Sequence, residues 1–232
     1  MNISDVPQVI KILKKECALL KTPYVTIVAD GAAQGNLGAE EESSNIKKPF
    51  KVLVSCILSL RTKDEVTRAA SERLFALAAT PAELAALTEA VIEKAIYPAG
   101  FYKTKAKTLR EIARILRDKY ASVVPDTIDE LLKFRGVGRK TANLVVTLGY
   151  GKPGICVDTH VHRITNRWGL VVAKTPEKTE FALREILPQK YWIGINDLLV
   201  TYGQNICRPT SPFCSRCSLA EFCDKRGLVN RR

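Results

Sequence analysis

No run of apolar residues in this sequence approaches the roughly 20 that a membrane-spanning helix needs. The N-terminus also lacks the basic-then-apolar pattern of a secretory signal, so a cytoplasmic protein with no targeting signal is expected. Internal repeats are missing, and so is any alternation of strand and helix patterns, which sets aside solenoids and doubly wound sheets. Acidic residues are scarce: 24 Asp+Glu face 36 Lys+Arg, for a formal net charge of +12. Between Thr22 and Ile46 the shortage reverses, with Asp30, Glu40, Glu41 and Glu42 and no Lys or Arg, so the rest of the chain carries +16. A surplus of that size favours a polyanionic partner, through release of counterions from phosphates. Nor is there an even set of cysteines. Four of the seven cluster between Cys207 and Cys223, a pattern that suits metal ligation in a reducing compartment better than a disulfide framework. Cys17, Cys56 and Cys156 lie in apolar surroundings and read as small core residues.

What is present reads as helix almost throughout. At 232 residues and 46% hydrophobic, the chain can bury one large core or two small ones. Val6, Ile10, Leu13, Cys17 and Leu20 share one helical face, with Lys11, Lys14 and Lys15 off it. Residues 22–46 are rich in Gly, Ala, Ser and Glu and read as a loose acidic insertion, with a short strand as one option at 24–28. A helix is expected to start at Pro49 and break near Arg61. Thr62-Lys63-Asp64-Glu65 and Thr80-Pro81-Ala82-Glu83 read as capping boxes. Lys103 to Tyr120 reads as a basic amphipathic helix, and Thr175-Pro176-Glu177 as another helix start. The expected fold class is all-α.

The most specific segment is Phe134-Arg135-Gly136-Val137-Gly138-Arg139-Lys140-Thr141-Ala142-Asn143, followed by Val157-Asp158-Thr159-His160. Two glycines around one apolar residue permit a tight turn whose N–H groups face a phosphate, since no Cβ obstructs the approach. Residues 127–150 then read as helix, turn, helix, with Lys140 in the first turn of the second helix, beside the bound backbone. An amine so placed can do covalent chemistry on a nucleic-acid sugar. Asp158 can accept and return protons, or support positive charge on that sugar. The plainer alternative makes Lys140 a phosphate contact and Asp158 a helix cap. Cys207, Cys214, Cys217 and Cys223, at spacings of 6, 2 and 5, signal a metal site that spacing alone leaves open between zinc and iron–sulfur.

With these motifs in register from Pro49 to Cys223, the chain resembles the endonuclease III family of DNA glycosylases, in the helix-hairpin-helix glycosylase superfamily. The resemblance implies two helical domains with the active site in the cleft between them. One would be a six-helix barrel over 43–153 carrying the helix-hairpin-helix at 127–150. The other would be an iron–sulfur domain of 1–21 plus 154–232, with its cluster loop at 207–223; residues 22–42 would be the loose acidic insertion. The family's nucleophile falls on Lys140 and its catalytic aspartate on Asp158. Gly136, Val137, Gly138, Arg139 and His160 are expected to meet DNA. The residues that wedge into the stack fall on Arg61, where the family usually shows glutamine, and on Phe101. A 4Fe-4S cluster on the four cysteines is implied.

The resemblance implies a bifunctional glycosylase and abasic-site lyase that removes oxidised pyrimidines and cleaves 3′ of the abasic site by β-elimination. Its partner would be duplex DNA with damaged bases or abasic sites, met as a monomer. Two alternatives stand beside it. One is a monofunctional glycosylase of the same superfamily, which would lack lysine at position 140. The other is a non-catalytic iron–sulfur DNA-binding protein, which needs neither Lys140 nor Asp158.

Overall fold

The computed structural model describes residues 1–20, 24–29, 41–230 and 232, and among them it is helical, with no strand. The chain separates into two compact units, one of residues 24–152 and one of residues 1–23 with 153–232.

In the middle unit, α3 (Glu41–Ser59) is the central rod. Phe50, Val52, Leu53, Val54, Cys56, Ile57 and Leu58 are all buried, so the C-terminal half of the helix is enclosed by its neighbours, with Lys51 half-buried among them. Around it pack α2 (Tyr24–Ala29), α4 (Asp64–Leu77), α7 (Tyr102–Lys119) and α9 (Arg139–Leu144), the last running on as a π-helical turn at Val145–Gly149. On α7 the buried set is Lys105, Ala106, Leu109, Ile112, Ala113 and Leu116, a stripe at helical spacing that packs on α5 (Pro81–Ala86), α6 (Glu89–Ile96) and α3.

Several local expectations need correction. Residues 24–29, read as loose with an optional strand, form a helix with Tyr24, Val25 and Val28 buried. A β-branched run favours a strand only where another strand can pair with it; here its apolar face packs on α3 and α4 instead, and the Tyr24 amide donates to both Asp64 oxygens at 3.2 and 3.0 Å. Residues 22–23 and 30–40 of the acidic stretch lie outside the described residues, and 41–46, also read as loose, are the first turns of α3. Pro49 does not begin α3 but sits inside it, buried against the π-helical turn, where a Cβ on Gly149 would come within 3.1 Å of its Cα. Thr62 does not cap α4: the cap position is Lys63, without a side-chain hydrogen bond, and the Thr62 hydroxyl is engaged elsewhere. The second box forms as expected, Glu83 N–H donating to Thr80 and the Glu83 carboxylate accepting from the Thr80 amide. Thr175 likewise caps its helix.

The other unit builds its core from α1 (Val6–Cys17), α10 (Thr159–Arg167), α11 (Pro176–Ile186) and α12 (Ile195–Asn205). Val9, Ile10, Leu13, Ile155, Val161, Ile164, Leu183, Leu199, Tyr202 and Leu219 meet in one apolar cluster. Burying each such side chain favours folding by about 1.5–3 kcal/mol.

Candidate functional site

The hairpin is built from the short helix α8 (Ile128–Leu131), a turn at 132–138 and α9. Gly136 has φ +83, a backbone that favours glycine, and a Cβ there would press on Thr108 Cγ2 at 3.0 Å. Gly138 is extended, at φ −98 and ψ 176, with nothing within 4 Å of where a Cβ would be. Between them Val137 points inward, buried, with its amide donating to Phe134 O at 3.1 Å. The valine anchors the turn while the glycines keep its outer surface bare. The first N–H groups of α9 have no carbonyl four residues behind them in the helix, and their dipoles favour an anion.

Lys140 is the second residue of α9 and is exposed. Its charge reaches Cys56 on α3, whose thiol is pushed up to about 12 by burial and pulled back by that positive charge. One turn further on, Asn143 Nδ2 donates to Arg139 O at 3.1 Å and Thr147 Oγ1 to Asn143 O at 2.7 Å, next to the π-helical turn. Such turns are often found at functional sites.

Asp158 belongs to the other unit, where it is buried at the start of α10. Its Oδ1 accepts from the amides of His160 at 2.8 Å and Val161 at 2.9 Å, so it does cap the helix. Capping through one oxygen is compatible with a proton-transfer role for the second. His160 is turned toward α12: a Cβ on Gly203 would sit 2.4 Å from its Nδ1, and that nitrogen pairs with Arg163 at 3.1 Å. Arg163 also donates to Cys207 O at 2.7 Å. His162 pairs with Thr179 Oγ1 at 2.7 Å, between α10 and α11.

Arg61 and Phe101 are brought together. Both have left-handed backbones, at φ 52 and 57, which non-glycine residues rarely adopt outside functional or strongly constrained turns. The Arg61 guanidinium lies 5.5 Å from the centroid of the Phe101 ring, and Phe101 is 62% exposed. Gly100 is required here, since a Cβ would fall 2.5 Å from Arg61 O. Beneath the pair is Lys105, one cation of the basic amphipathic helix expected over 103–120. It is 6% exposed, and burial lowers its pKa to about 8. The signal available was its place on the apolar stripe of α7.

Cys207, Cys214, Cys217 and Cys223 are free, half-buried and close enough to act on one another electrostatically. Burial raises the thiols of Cys217 and Cys223 above the usual range. Donors converge on the sulfurs: Arg167 on Cys207 at 3.5 Å, the Lys225 amide on Cys223 at 3.3 Å, and Tyr202 OH paired with Cys217 at 3.1 Å. An all-thiol set surrounded by hydrogen-bond donors fits a thiolate-held cluster, whose potential such donors tune. Among the described residues, no group of three or more His, Cys, Asp or Glu side chains is arranged around a single ion. Arg208, Arg216 and Arg232 stack around Phe213, at 4.9, 4.3 and 5.4 Å from its centroid, making the loop strongly basic. Arg167 lies 40 positions before Cys207 and Tyr202 lies 15 before Cys217, so no local pattern marks either as a partner of the sulfurs.

Residues 54–189 match the family model described as HhH-GPD superfamily base excision DNA repair protein. The chain is similar to Endonuclease III of Thermotoga maritima, at 49% identity over 176 residues, which is 76% of this chain and 83% of that one. Plant and vertebrate relatives are longer, and the chain spans 48% to 66% of their length. Among solved structures it is similar to a non-covalent Endonuclease III–DNA complex, with TM-score 0.78, 28% identity and coverage of 97% of this chain and 96% of that one. It is also similar to a trapped Endonuclease III–DNA covalent intermediate, with TM-score 0.73, 30% identity and coverage of 94% and 95%.

Proposed function

This chain belongs to the endonuclease III family within the HhH-GPD superfamily, and from that premise we propose that it is a bifunctional DNA glycosylase and abasic-site lyase acting on oxidised pyrimidines in duplex DNA. The observation that carries this reading is Lys140 in the first turn of the helix that follows the bare glycine turn. A relative with the same fold has been trapped covalently on DNA, the outcome expected when an amine attacks the sugar.

In this reading the hairpin amides and the start of α9 hold a phosphate, which brings the strand alongside Lys140. The damaged nucleotide leaves the stack, because its C1′ cannot be reached inside a duplex. Nζ of Lys140 forms a bond to C1′ through its lone pair, and the glycosidic bond breaks with its electron pair going to the base, which leaves protonated. One amine proton passes to the departing base and the other to the ring oxygen as the C1′–O4′ bond breaks, so the ring opens and a Schiff base joins Lys140 to C1′. Loss of a C2′ proton then expels the 3′ phosphate, and hydrolysis frees the lysine. Asp158 shuttles protons and balances positive charge near the sugar, through the oxygen that does not cap α10. Arg61 and Phe101 fill the space the base vacates.

Cys207, Cys214, Cys217 and Cys223 would hold a 4Fe-4S cluster, which when bound supplies a rigid centre for the basic loop around Phe213. The partner is duplex DNA, met as a monomer in the cytoplasm on the nucleoid. No described helix is long and apolar enough to cross a membrane. Borohydride reduction on an abasic-site duplex tests the central claim. A covalent adduct through Lys140 is expected; strand binding with no adduct would leave a monofunctional enzyme or a non-catalytic binder.

A further inference from the structure

Lys105 lies four residues beyond Phe101, in the first turn of α7, and among the described residues its buried ammonium is in no ion pair with a carboxylate. Its Nζ donates to Leu58 O at 2.7 Å, Leu60 O at 2.6 Å and Thr62 Oγ1 at 2.8 Å. Three donors thus meet three acceptors, and the acceptors span the turn that leaves α3 and contains Arg61. The Thr62 hydroxyl also accepts from the Gly100 amide at 3.1 Å and donates to Leu60 O at 3.3 Å. Lys105, through Thr62, therefore stitches the Arg61 turn to the Gly100–Phe101 turn.

A buried ammonium with only neutral oxygen partners is an expensive way to close a helix end, since water is a better host for the charge. A neutral amine would not serve as well, because it has two N–H donors for three acceptors. The two turns it joins each end in a strained left-handed residue, and such conformations persist only where the surroundings over-determine them.

We propose that Lys105 is a positioning residue for base extrusion: it locks the Arg61 and Phe101 turns into one stacked wedge that enters the duplex already formed. This rests on the glycosylase reading above, and it adds a role for a side chain that touches neither sugar nor base. A wedge held in shape before binding does not lose its side-chain freedom at the moment of insertion.

The test uses the 232-residue chain expressed with its cysteine loop intact and loaded with iron and sulfide, and its Lys105→Met and Lys105→Arg variants. One arm measures excision of an oxidised pyrimidine from duplex DNA and strand cleavage at an abasic site in a single-stranded oligonucleotide, which needs no wedge. The other binds a duplex with a tetrahydrofuran abasic analogue opposite 2-aminopurine, whose fluorescence rises when the stack is wedged open. For Lys105→Met, duplex excision should fall on the order of 30- to 100-fold, mostly in kcat, the size of effect expected from misplacing a positioning group. Single-strand cleavage should stay within about threefold. The fluorescence rise should be lost, and Lys105→Arg should recover part of it. Duplex excision equal to wild type overturns the proposal, as does an equal loss on both substrates, which would mark Lys105 as merely structural. If wild type itself cleaves nothing, the glycosylase reading fails, while the fluorescence arm still judges the wedge on its own.

Discussion

Two lysines of the middle unit occupy matching places and opposite environments. Each lies in the first turn of a helix that follows a glycine-containing turn: Lys140 after Gly138, Lys105 after Gly100. Lys140 is exposed, and the turn before it is kept bare by glycines with φ +83 or open space around them. Lys105 is buried, and the turn before it is pressed against a second turn, with Gly100 allowing the contact. An amine in the open can reach a bound strand. One sealed beneath two turns can only hold protein in shape. The contrast separates a side chain within reach of whatever binds the turn from one that only shapes the surface.

The contrast breaks most sharply at Lys140. Lys140→Ala should abolish borohydride trapping and excision, a loss of at least about 1,000-fold, while salt-sensitive duplex binding survives in a filter or gel assay. Retained trapping would move the nucleophile elsewhere. The carboxylate should come next. Asp158→Asn keeps an acceptor for the His160 and Val161 amides, so its melting temperature should stay near wild type while turnover falls about 100-fold or more. Asp158→Ala should lose the cap as well, costing about 1 kcal/mol in denaturant unfolding. Equal activity in Asp158→Asn and wild type would leave Asp158 as a cap alone.

A smaller effect sharpens the pair through pH. The Lys105 amine has a folded pKa of about 8, below that of a free lysine, so between the two values the unfolded chain binds more protons. Through this group, folding stability rises with pH across that window and does not fall. The wedge, in contrast, loses a donor as pH passes about 8. Duplex excision should therefore decline above that pH relative to single-strand cleavage by the same protein, with no matching drop in melting temperature. Parallel pH profiles on the two substrates would contradict the assignment. The smallest expected change is in Arg61→Gln. A guanidinium only donates, whereas a carboxamide both donates and accepts. The ratio of excision opposite different bases should shift by a few-fold, in line with about 1 kcal/mol for one altered hydrogen bond.

How much could be read before the structure follows from the same contrast. The hairpin, the two glycines, the Thr80 box and the four cysteines are local patterns, so their chemistry is written within a few residues. Lys105 is not, because its three acceptors come from 43 to 47 positions earlier and nothing at Lys105 itself announces them. Thr62 has the spacing of a cap, but its hydroxyl is drawn away by Lys105 and Gly100, contacts that exist only after folding. Tyr24–Ala29 has the composition of a strand and becomes a helix because the surface it meets is helical. Arg167 and Tyr202 reach the cysteines across about 40 and 15 residues of chain.

Helix α10 has a consequence of its own. Asp158 stands at its head, and at its tail Arg167 grips the cysteine loop by donating to Cys207 Sγ, to Arg208 O at 2.7 Å and to Pro209 O at 2.7 Å. Nine helical residues make a strut about 13 Å long. The loop that carries the four cysteines and the backbone that sets the Asp158 carboxylate are thus tied to the two ends of one short rod, and Arg167→Ala would cut the loop from that rod without touching its head.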